Sequence, residues 1–366
     1  MTTRNERLLG QRFAAQRLTG PPAVSAVDVA YGLLAVQAQD PRGARLAIRA
    51  RTAGLTAADV DRALTADRSL VVSWLNRGTL HLVTAEDYWW LQALTTPPLL
   101  TGNSRRLAQE GVPPADADRA VAALEKALAG EGPLTRSQLR DRIAATGVRT
   151  EGQALVHILA LASLRGLIVR GPMTGGEQAF VLVRDWLPAP SAPLARDRAL
   201  AELARRYLAG HGPASERDLA KWAGLPLRDA RRGLAAIAAS LADRTDGLAE
   251  LARPHADPAA CGMPPPRLLG PFDPLLLGWS SRADIVDPEG PVVTINGLFR
   301  PFALIGGRAA ATWAIAGGQV ALSAFGPLAA PDQAALRAEA ADVLRFLCLP
   351  VPAEPLAYRK PGGRAP

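Results

Sequence analysis

Residues 132–139 read Gly-Pro-Leu-Thr-Arg-Ser-Gln-Leu, and residues 212–219 read Gly-Pro-Ala-Ser-Glu-Arg-Asp-Leu. Both fit Gly-Pro-x-(Ser/Thr)-x-x-x-Leu, and both follow a helical stretch rich in alanine and leucine. The physical content is the same twice. The proline ends one helix, Thr135 or Ser215 caps the next, and Leu139 or Leu219 enters the core one turn later. After a turn near Gly147 or Gly224 a third amphipathic helix follows, spanning 152–164 in one copy and 227–241 in the other. The first copy then runs through Leu164–Arg170, a Gly-rich tip at 171–176 and Phe180–Val183, which reads as strand, turn, strand. In the second copy the hairpin shrinks to Leu241–Asp243 and Leu248–Leu251.

Three helices and a hairpin make a winged helix-turn-helix. Working outward, helices are expected at 5–19, 26–37, 56–66 and 85–94, the last capped by Thr84 with Glu86 and Asp87 in its first turn. Leu80–Val83 reads as a strand, and Arg77-Gly78-Thr79-Leu80 echoes Arg165-Gly166-Leu167-Ile168, so a degenerate third copy is expected at the N-terminus. A proline-rich linker, Pro254–Pro266, precedes strand-like runs at Val292–Ile295, Phe302–Ile305 and Arg308–Ile315, with a hairpin signal at Gly306-Gly307 and a last helix at 331–347. The expected fold class is mainly α with short β-hairpins (α+β), as three tandem winged helix-turn-helix units in a C-shaped arrangement plus a β-rich C-terminal portion. The expected boundaries are 1–115, 116–192 and 193–253 for the units and 254–366 for the β-rich part with its closing helix.

Composition excludes several classes. The chain has 366 residues, 48% of them hydrophobic, enough for two or three packed units. No run of 18 apolar residues occurs, and the charged N-terminus lacks a signal core, so a cytoplasmic protein without a membrane span is expected. Cys261 and Cys348 are far apart, and the four histidines (His81, His157, His211, His255) have no metal-ligand spacing, so neither a disulfide framework nor a metal or other cofactor is expected. There is no GxGxxG, no GxxxxGK(S/T) and no GxSxG. The net charge is +8 and the pI about 10.2, and only Lys126, Lys221 and Lys360 are lysines. An arginine-, alanine- and proline-rich composition also follows from a high-GC genome, so the placement of the arginines matters more than their number.

A winged helix usually docks on DNA, although it also serves in protein–protein contacts. Arginines fall where DNA contacts are expected: Arg136 and Arg140 in one unit, Arg228, Arg231 and Arg232 in another, and Arg105 and Arg106 between units. Three units in one monomer, with no sensor domain and no coiled coil, suit a protein that wraps one stretch of duplex while working on one nucleotide. The alternatives are a DNA-binding transcriptional regulator without catalysis and a protein-interaction scaffold.

The run Leu34-Ala35-Val36-Gln37-Ala38-Gln39-Asp40-Pro41 is the second decisive stretch. An apolar helical run ends in two amides, an acid and a proline. Pro41 pushes Asp40 out of the helical region. If the segment is extended, Gln37 and Gln39 point to one side and Ala38 away. If the helix continues, the two amides lie about 200° apart and serve only as a polar helix end.

Together with Gln37-Ala38-Gln39, the segments Arg77-Gly78-Thr79-Leu80-His81-Leu82, Gly270-Pro271-Phe272-Asp273-Pro274-Leu275-Leu276, and Gly306-Gly307-Arg308 followed by Thr312-Trp313 resemble the winged-helix DNA glycosylases that remove alkylated bases, in particular those of the AlkZ type. The landmarks run from about residue 10 to 315. The resemblance implies a monofunctional DNA glycosylase acting on N7-alkylguanine, azinomycin-type adducts and interstrand crosslinks, and so a role in repair and self-resistance to an alkylating antibiotic. It makes Gln37 and Gln39 the catalytic pair, and places the chain in the Gln-x-Gln branch rather than the branch with an acid at the second position. Asp40 is then a candidate for electrostatic support, or else a cap or ion-pair partner. Candidate DNA contacts are Arg42, Arg45, Arg77, His81, Arg136, Arg140, Arg231, Arg232 and Arg308, with His81 alternatively a packed residue and the hairpin bearing Arg308 alternatively part of the core. The implied partner is double-stranded DNA bearing alkylated or crosslinked guanine, bound by a monomer.

Overall fold

The computed structural model describes residues 4–174, 176–190, 194–252, 262–294 and 296–358. The chain opens with α1 (Arg4–Ala15), α2 (Ala26–Leu33), a short strand β1 (Val36–Gln37), α3 (Pro41–Arg49), α4 (Ala57–Thr65) and the hairpin β2 (Leu70–Trp74) and β3 (Leu80–Thr84). Helices α5 (Ala85–Thr95), α6 (Pro97–Gln109), α7 (Pro114–Glu131), α8 (Arg136–Ala144) and α9 (Ala154–Leu164) lead to the hairpin β4 (Ile168–Thr174) and β5 (Glu177–Leu182). One helical turn, α10 (Val183–Trp186), precedes α11 (Arg196–His211), α12 (Glu216–Ala223) and α13 (Leu227–Ala236). The C-terminal part holds β6 (Arg267–Leu269), β7 (Phe302–Ile305), β8 (Arg308–Ala316), β9 (Gln319–Ala324), α14 (Ala330–Phe346) and β10 (Leu356–Tyr358).

The mixed α+β architecture is the one the sequence predicts, and one order of elements recurs. Three helices and a hairpin appear as α2, α3, α4, β2, β3 and again as α7, α8, α9, β4, β5. The third set, α11, α12, α13, ends in a bridge between Leu241 and Leu251 rather than full strands. The two repeated octapeptides do what their chemistry requires. Thr135 and Ser215 each accept a hydrogen bond from the backbone N–H three residues on, with Gln138 and Asp218 closing the capping box. Leu139 and Leu219 are buried one turn later, each stabilising the fold by about 1.5–3 kcal/mol.

The first two sets share one sheet, in the order β1-β3-β2-β4-β5. Its seam is the antiparallel pairing of β2 with β4, registered at Val72 opposite Arg170. The second sheet, β10-β9-β8-β7-β6, is covered by α14. No helix among the described residues is long and apolar enough to cross a membrane.

Several local expectations change. Helix α2 stops at Leu33, four residues before the expected end, because Leu34 turns to φ 64°. Arg105 and Arg106 lie on α6, not in a loop; Pro97 and Pro98 open that helix, where a missing N–H costs nothing. The expected strand at 292–295 reduces to a bridge between Val293 and Phe299, and Ile295 is outside the described residues. Most of the expected linker, residues 253–261, also lies outside them, as do Gly175, His255 and Cys261.

A buried ion pair ties the two ends of the chain. Arg51, just past α3, and Asp273 both have 0% side-chain exposure. Arg51 Nη1 donates to Asp273 Oδ2 at 2.9 Å and Nη2 to Asp273 Oδ1 at 2.8 Å. Its other donors go to the Gln16 carbonyl, Gln16 Oε1 and the Ala47 carbonyl. All five guanidinium N–H groups are therefore used. A second tie joins Arg49 and Arg267 to Glu339 on α14, each at 2.7 Å. Removing one partner of a fully satisfied buried pair leaves an uncompensated charge, so Asp273→Ala is expected to lower stability by about 3–5 kcal/mol. Denaturant unfolding checks this, with Arg51→Met/Asp273→Leu expected to lose less than Asp273→Ala alone.

Candidate active site

The glutamine run is extended. Leu34 ends α2, and β1 pairs antiparallel with β3, Val36 opposite Leu82 and Gln37 opposite His81. Ala38 N–H donates to the Leu80 carbonyl at 2.7 Å. Both side-chain amides then meet the connection between β2 and β3. Gln37 Oε1 accepts from Arg77 Nη2 at 3.1 Å, and Gln39 Oε1 from Leu80 N–H at 3.4 Å. Gln37 is 8% exposed, whereas Gln39 is exposed.

Asp40 is the N-cap of α3. Its Oδ1 accepts from Gly43 N–H at 2.7 Å, and Pro41 follows at the first helical position. Of the roles open to Asp40, the helix cap is the one its geometry displays. Gly43 is fixed by a close approach, since a Cβ there would lie 2.5 Å from the Pro271 carbonyl oxygen. A Cβ on Gly270 would lie 2.9 Å from Leu46 Cβ. The Gly270-Pro271-Phe272-Asp273 segment thus lies directly against the first turns of α3 and braces the chain that leaves the glutamines.

Arg77 adopts φ 58° and ψ 10°, the left-handed region, and is followed by Gly78 at φ 71°. Its Nη1 donates to the Trp222 carbonyl. Burial lowers its pKa from the ordinary arginine value, and it forms no ion pair among the described residues. His81 is 1% exposed, with Nδ1 3.0 Å from the Thr79 carbonyl. Burial, reinforced by the Arg77 charge, pulls its pKa down to about 3. His81 is therefore a neutral interior residue of β3, which matches the packed alternative of its two readings and leaves no imidazole surface for a DNA contact.

Gln39 opens on a cleft of about 530 Å3 between α3 and the β4–β5 hairpin. Arg42, Arg45, Arg136 and Arg170 line it, with Met173 of the hairpin exposed at its edge. Arg45 is engaged, donating to Asp61 Oδ1 through Nε at 2.9 Å and to the Pro41 carbonyl at 2.8 Å. Arg42 and Arg136 are exposed, and neither forms an ion pair among the described residues. Arg170 lies 4.1 Å over the Phe180 ring, donates to the Gln178 carbonyl at 3.2 Å, and has its pKa lowered by burial to about 10.

The structure thus gathers Gln39, Arg42, Arg45 and Arg136 at one cleft and sets Gln37 and Arg77 behind it. Arg140 shares the neighbouring depression with Arg136 and pairs with Asp141. Arg231 and Arg232 lie elsewhere, bound to Glu216 and Asp197 at 2.7 and 2.9 Å. Arg308 donates to the Asp284 carbonyl at 3.1 Å, and its hairpin turn is packed: a Cβ on Gly307 would sit 3.0 Å from Phe13. Sequence reasoning missed Arg170 and Met173. The available signal for Arg170 was a lone charge inside an otherwise apolar strand, Ile168-Val169-Arg170.

An extended amide pair beside an arginine-lined cleft offers acceptors for a water next to charge suited to phosphates, and no group of three or more metal-ligating side chains occurs among the described residues. Comparison with known proteins agrees with that class. The family model described as "DNA glycosylase AlkZ-like" matches residues 30–346, and the chain belongs to this AlkZ-like family of DNA glycosylases. It is 28% identical over 361 residues to an interstrand DNA cross-link repair glycosylase of Streptomyces sahachiroi, covering 91% of this chain and 94% of that protein. Its structure is similar to that of Streptomyces sahachiroi DNA glycosylase AlkZ, with a TM-score of 0.78 at 26% identity, covering 98% of this chain and 100% of that one.

Two outcomes follow from these environments. Asp40→Ala is expected to cost about 1 kcal/mol through loss of the cap, whereas Asp40→Asn keeps an accepting oxygen and most of that stability, read by denaturant unfolding. His81 has a folded pKa of about 3 against an ordinary value of 6.5, so the unfolded state binds the proton first as pH falls. Its contribution is complete above pH 6.5 and is lost progressively from there toward pH 3; His81→Phe is expected to show a smaller drop in melting temperature between pH 7 and 4 than the wild type.

Proposed function

We propose that this DNA glycosylase is monofunctional and hydrolyses the N-glycosidic bond of N7-alkylguanine in duplex DNA, interstrand crosslinks and azinomycin-type adducts included, leaving an abasic site. It would thereby serve DNA repair and self-resistance to an alkylating agent. The observation that carries the reading is that both amides lean on one connection, Arg77 to Leu80, with Gln39 at the mouth of an arginine-lined cleft.

Alkylation at N7 places a positive charge on the purine. When the glycosidic bond breaks, its electron pair neutralises that charge and the base departs neutral, so no proton donor is required. What remains is to deliver a water to C1′ and to tolerate positive charge on the sugar. A carbonyl oxygen has two acceptor sites, so Gln37 and Gln39 each keep one after bonding to Arg77 and Leu80. Those two acceptors hold a water by its hydrogens and turn its oxygen outward, and once that oxygen has bonded to C1′ the surplus proton passes to solvent. Among the described residues no lysine serves a covalent imine route at this place: Lys126 is on α7, and Lys221 donates to the Ser280 carbonyl at 3.0 Å, while Lys360 lies outside those residues. Arg42, Arg136 and Arg170 supply the charge that phosphates require.

The test is single-turnover base release from a duplex carrying N7-methylguanine and from a defined N7–N7 crosslink. Gln37→Ala/Gln39→Ala is expected to slow release by about 100-fold or more. Undiminished release by the double variant, or none from either substrate by the wild type, would overturn the assignment.

A further inference from the structure

The glutamine that lies deeper in the fold has a partner that no part of the water-placing chemistry explains. We infer that Arg77 is a positioning residue for the reaction proposed above, a role that rests on that reading: it sets the amide of Gln37, and the third helix triplet in turn sets Arg77. An unrestrained glutamine amide can present either end to its surroundings. Here a cationic donor, Arg77 Nη2, holds Gln37 Oε1 at 3.1 Å and decides which end faces where. The guanidinium has no carboxylate partner among the described residues, and its second bond goes to the Trp222 carbonyl at the end of α12. Its donors are thus turned inward, onto a side-chain amide and a backbone oxygen, rather than outward as a phosphate contact would need.

The backbone is held as firmly as the head group. Arg77 sits at φ 58°, a conformation that an arginine keeps only when its surroundings impose it. The imposing neighbour is Gly224, the left-handed C-cap of α12 at φ 69°. A Cβ on Gly224 would lie 2.8 Å from Arg77 N and 3.1 Å from Arg77 Cα. The third triplet therefore meets the β2–β3 connection at the residue that grips Gln37. The third triplet, whose Arg231 and Arg232 are tied to their own carboxylates, thus becomes the wall against which the reaction geometry is set.

The experiment uses the full chain with the N7-methylguanine duplex, and compares Arg77→Ala, Arg77→Lys and Gly224→Ala, each in the wild-type and the Gln37→Ala background. Arg77→Ala and Gly224→Ala are expected to slow single-turnover release by about 10- to 100-fold. Lesion-duplex affinity and its salt dependence stay near wild type. In the Gln37→Ala background the same changes slow release no further, and Arg77→Lys recovers part of the rate because it retains a donor. A loss expressed as weaker binding, with the salt slope reduced by about one, makes Arg77 a phosphate contact and overturns the proposal. So does equal slowing in both backgrounds. A substrate-free readout separates this inference from the reading beneath it. The side-chain amide signals of Gln37, identified by their disappearance in Gln37→Ala, shift in Arg77→Lys while those of Gln39 do not. Unmoved Gln37 signals overturn the latch; a protein that shows the shift but whose wild type releases no base overturns the assigned reaction instead.

Discussion

The bidentate pair between Arg51 and Asp273 is the constraint on which the rest of the arrangement depends. It joins the end of α3 to the turn that follows β6, two regions separated by most of the sequence, and it is wholly buried. Such a pair contributes little net stability over an apolar equivalent, because desolvating two charges is costly. Its value is directional. Five donors in a fixed plane admit one placement of Asp273, and Asp273 in turn accepts from Leu275 N–H at 2.9 Å. The Gly270–Asp273 backbone is thereby set against Gly43 and Leu46, and α3 cannot rotate without breaking the pair. Because Asp40 caps α3 and Gln39 precedes Asp40, the position of the exposed amide is inherited from an ion pair on the far side of the helix.

Strain is concentrated in the same places. Six non-glycine residues among those described have positive φ; Leu34 and Arg77 lie in the segments that flank and grip the glutamines, and Phe272 in the segment that braces α3 behind them. Leu34 stops α2 and frees the chain to pair with β3. Arg77 turns the β2–β3 connection so that its side chain reaches back to Gln37. Phe272 bends the brace ahead of Asp273, with its ring 5.1 Å from that of Phe299. Each such conformation costs on the order of 1–3 kcal/mol and persists only where packing over-determines it. Two of the three flank or touch the short strand itself and the third lies in its brace, an arrangement that suits a site of fixed geometry.

The helix triplets were legible in the sequence because their determinants are local: Thr135, Ser215 and Thr84 cap by reaching three residues along the chain, and Leu139 and Leu219 follow one turn on. The site was legible only in part. The proline after Asp40 announced a break, but where α2 stopped depended on β3, more than forty residues away, drawing Val36 and Gln37 into a sheet. The fusion of two hairpins through β2 and β4 was invisible, since no residue encodes a partner strand, and with it went Arg170, which belongs to a different triplet from the glutamine it stands beside. The burial of His81 and the packing of the turn before Arg308 were hidden for a related reason. A histidine on an apolar strand and a Gly-Gly turn read the same whether their neighbours are solvent or, as at Gly307, Phe13.

The charge distribution around the amides carries a further consequence for the proposed chemistry. Carboxylates near the strand are already occupied: Asp40 by the start of α3, Asp61 by Arg45, and Glu177 of the same cleft by the Arg136 backbone N–H. Arg77 and Arg170, by contrast, are cations with no carboxylate in ion-pair contact among the described residues, their bonds going to an amide and to backbone carbonyls. A site meant to stabilise a cation by opposite charge would be built the other way round. The arrangement makes sense if the substrate brings its own negative charge as phosphates, which neutralise Arg42, Arg136 and Arg170 at the cleft on docking while Arg77 stays turned inward, and its own activation as a positively charged purine. The protein then need not stabilise the developing sugar cation with a carboxylate of its own, since the phosphates flanking that sugar already carry negative charge. Neutral amides suit this division, because they direct a water without adding charge that would tighten binding to the departing cationic base. An undamaged guanine, lacking the charge on N7, gains nothing from such a site, and the discrimination between damaged and intact DNA then resides in the leaving group more than in any contact to it.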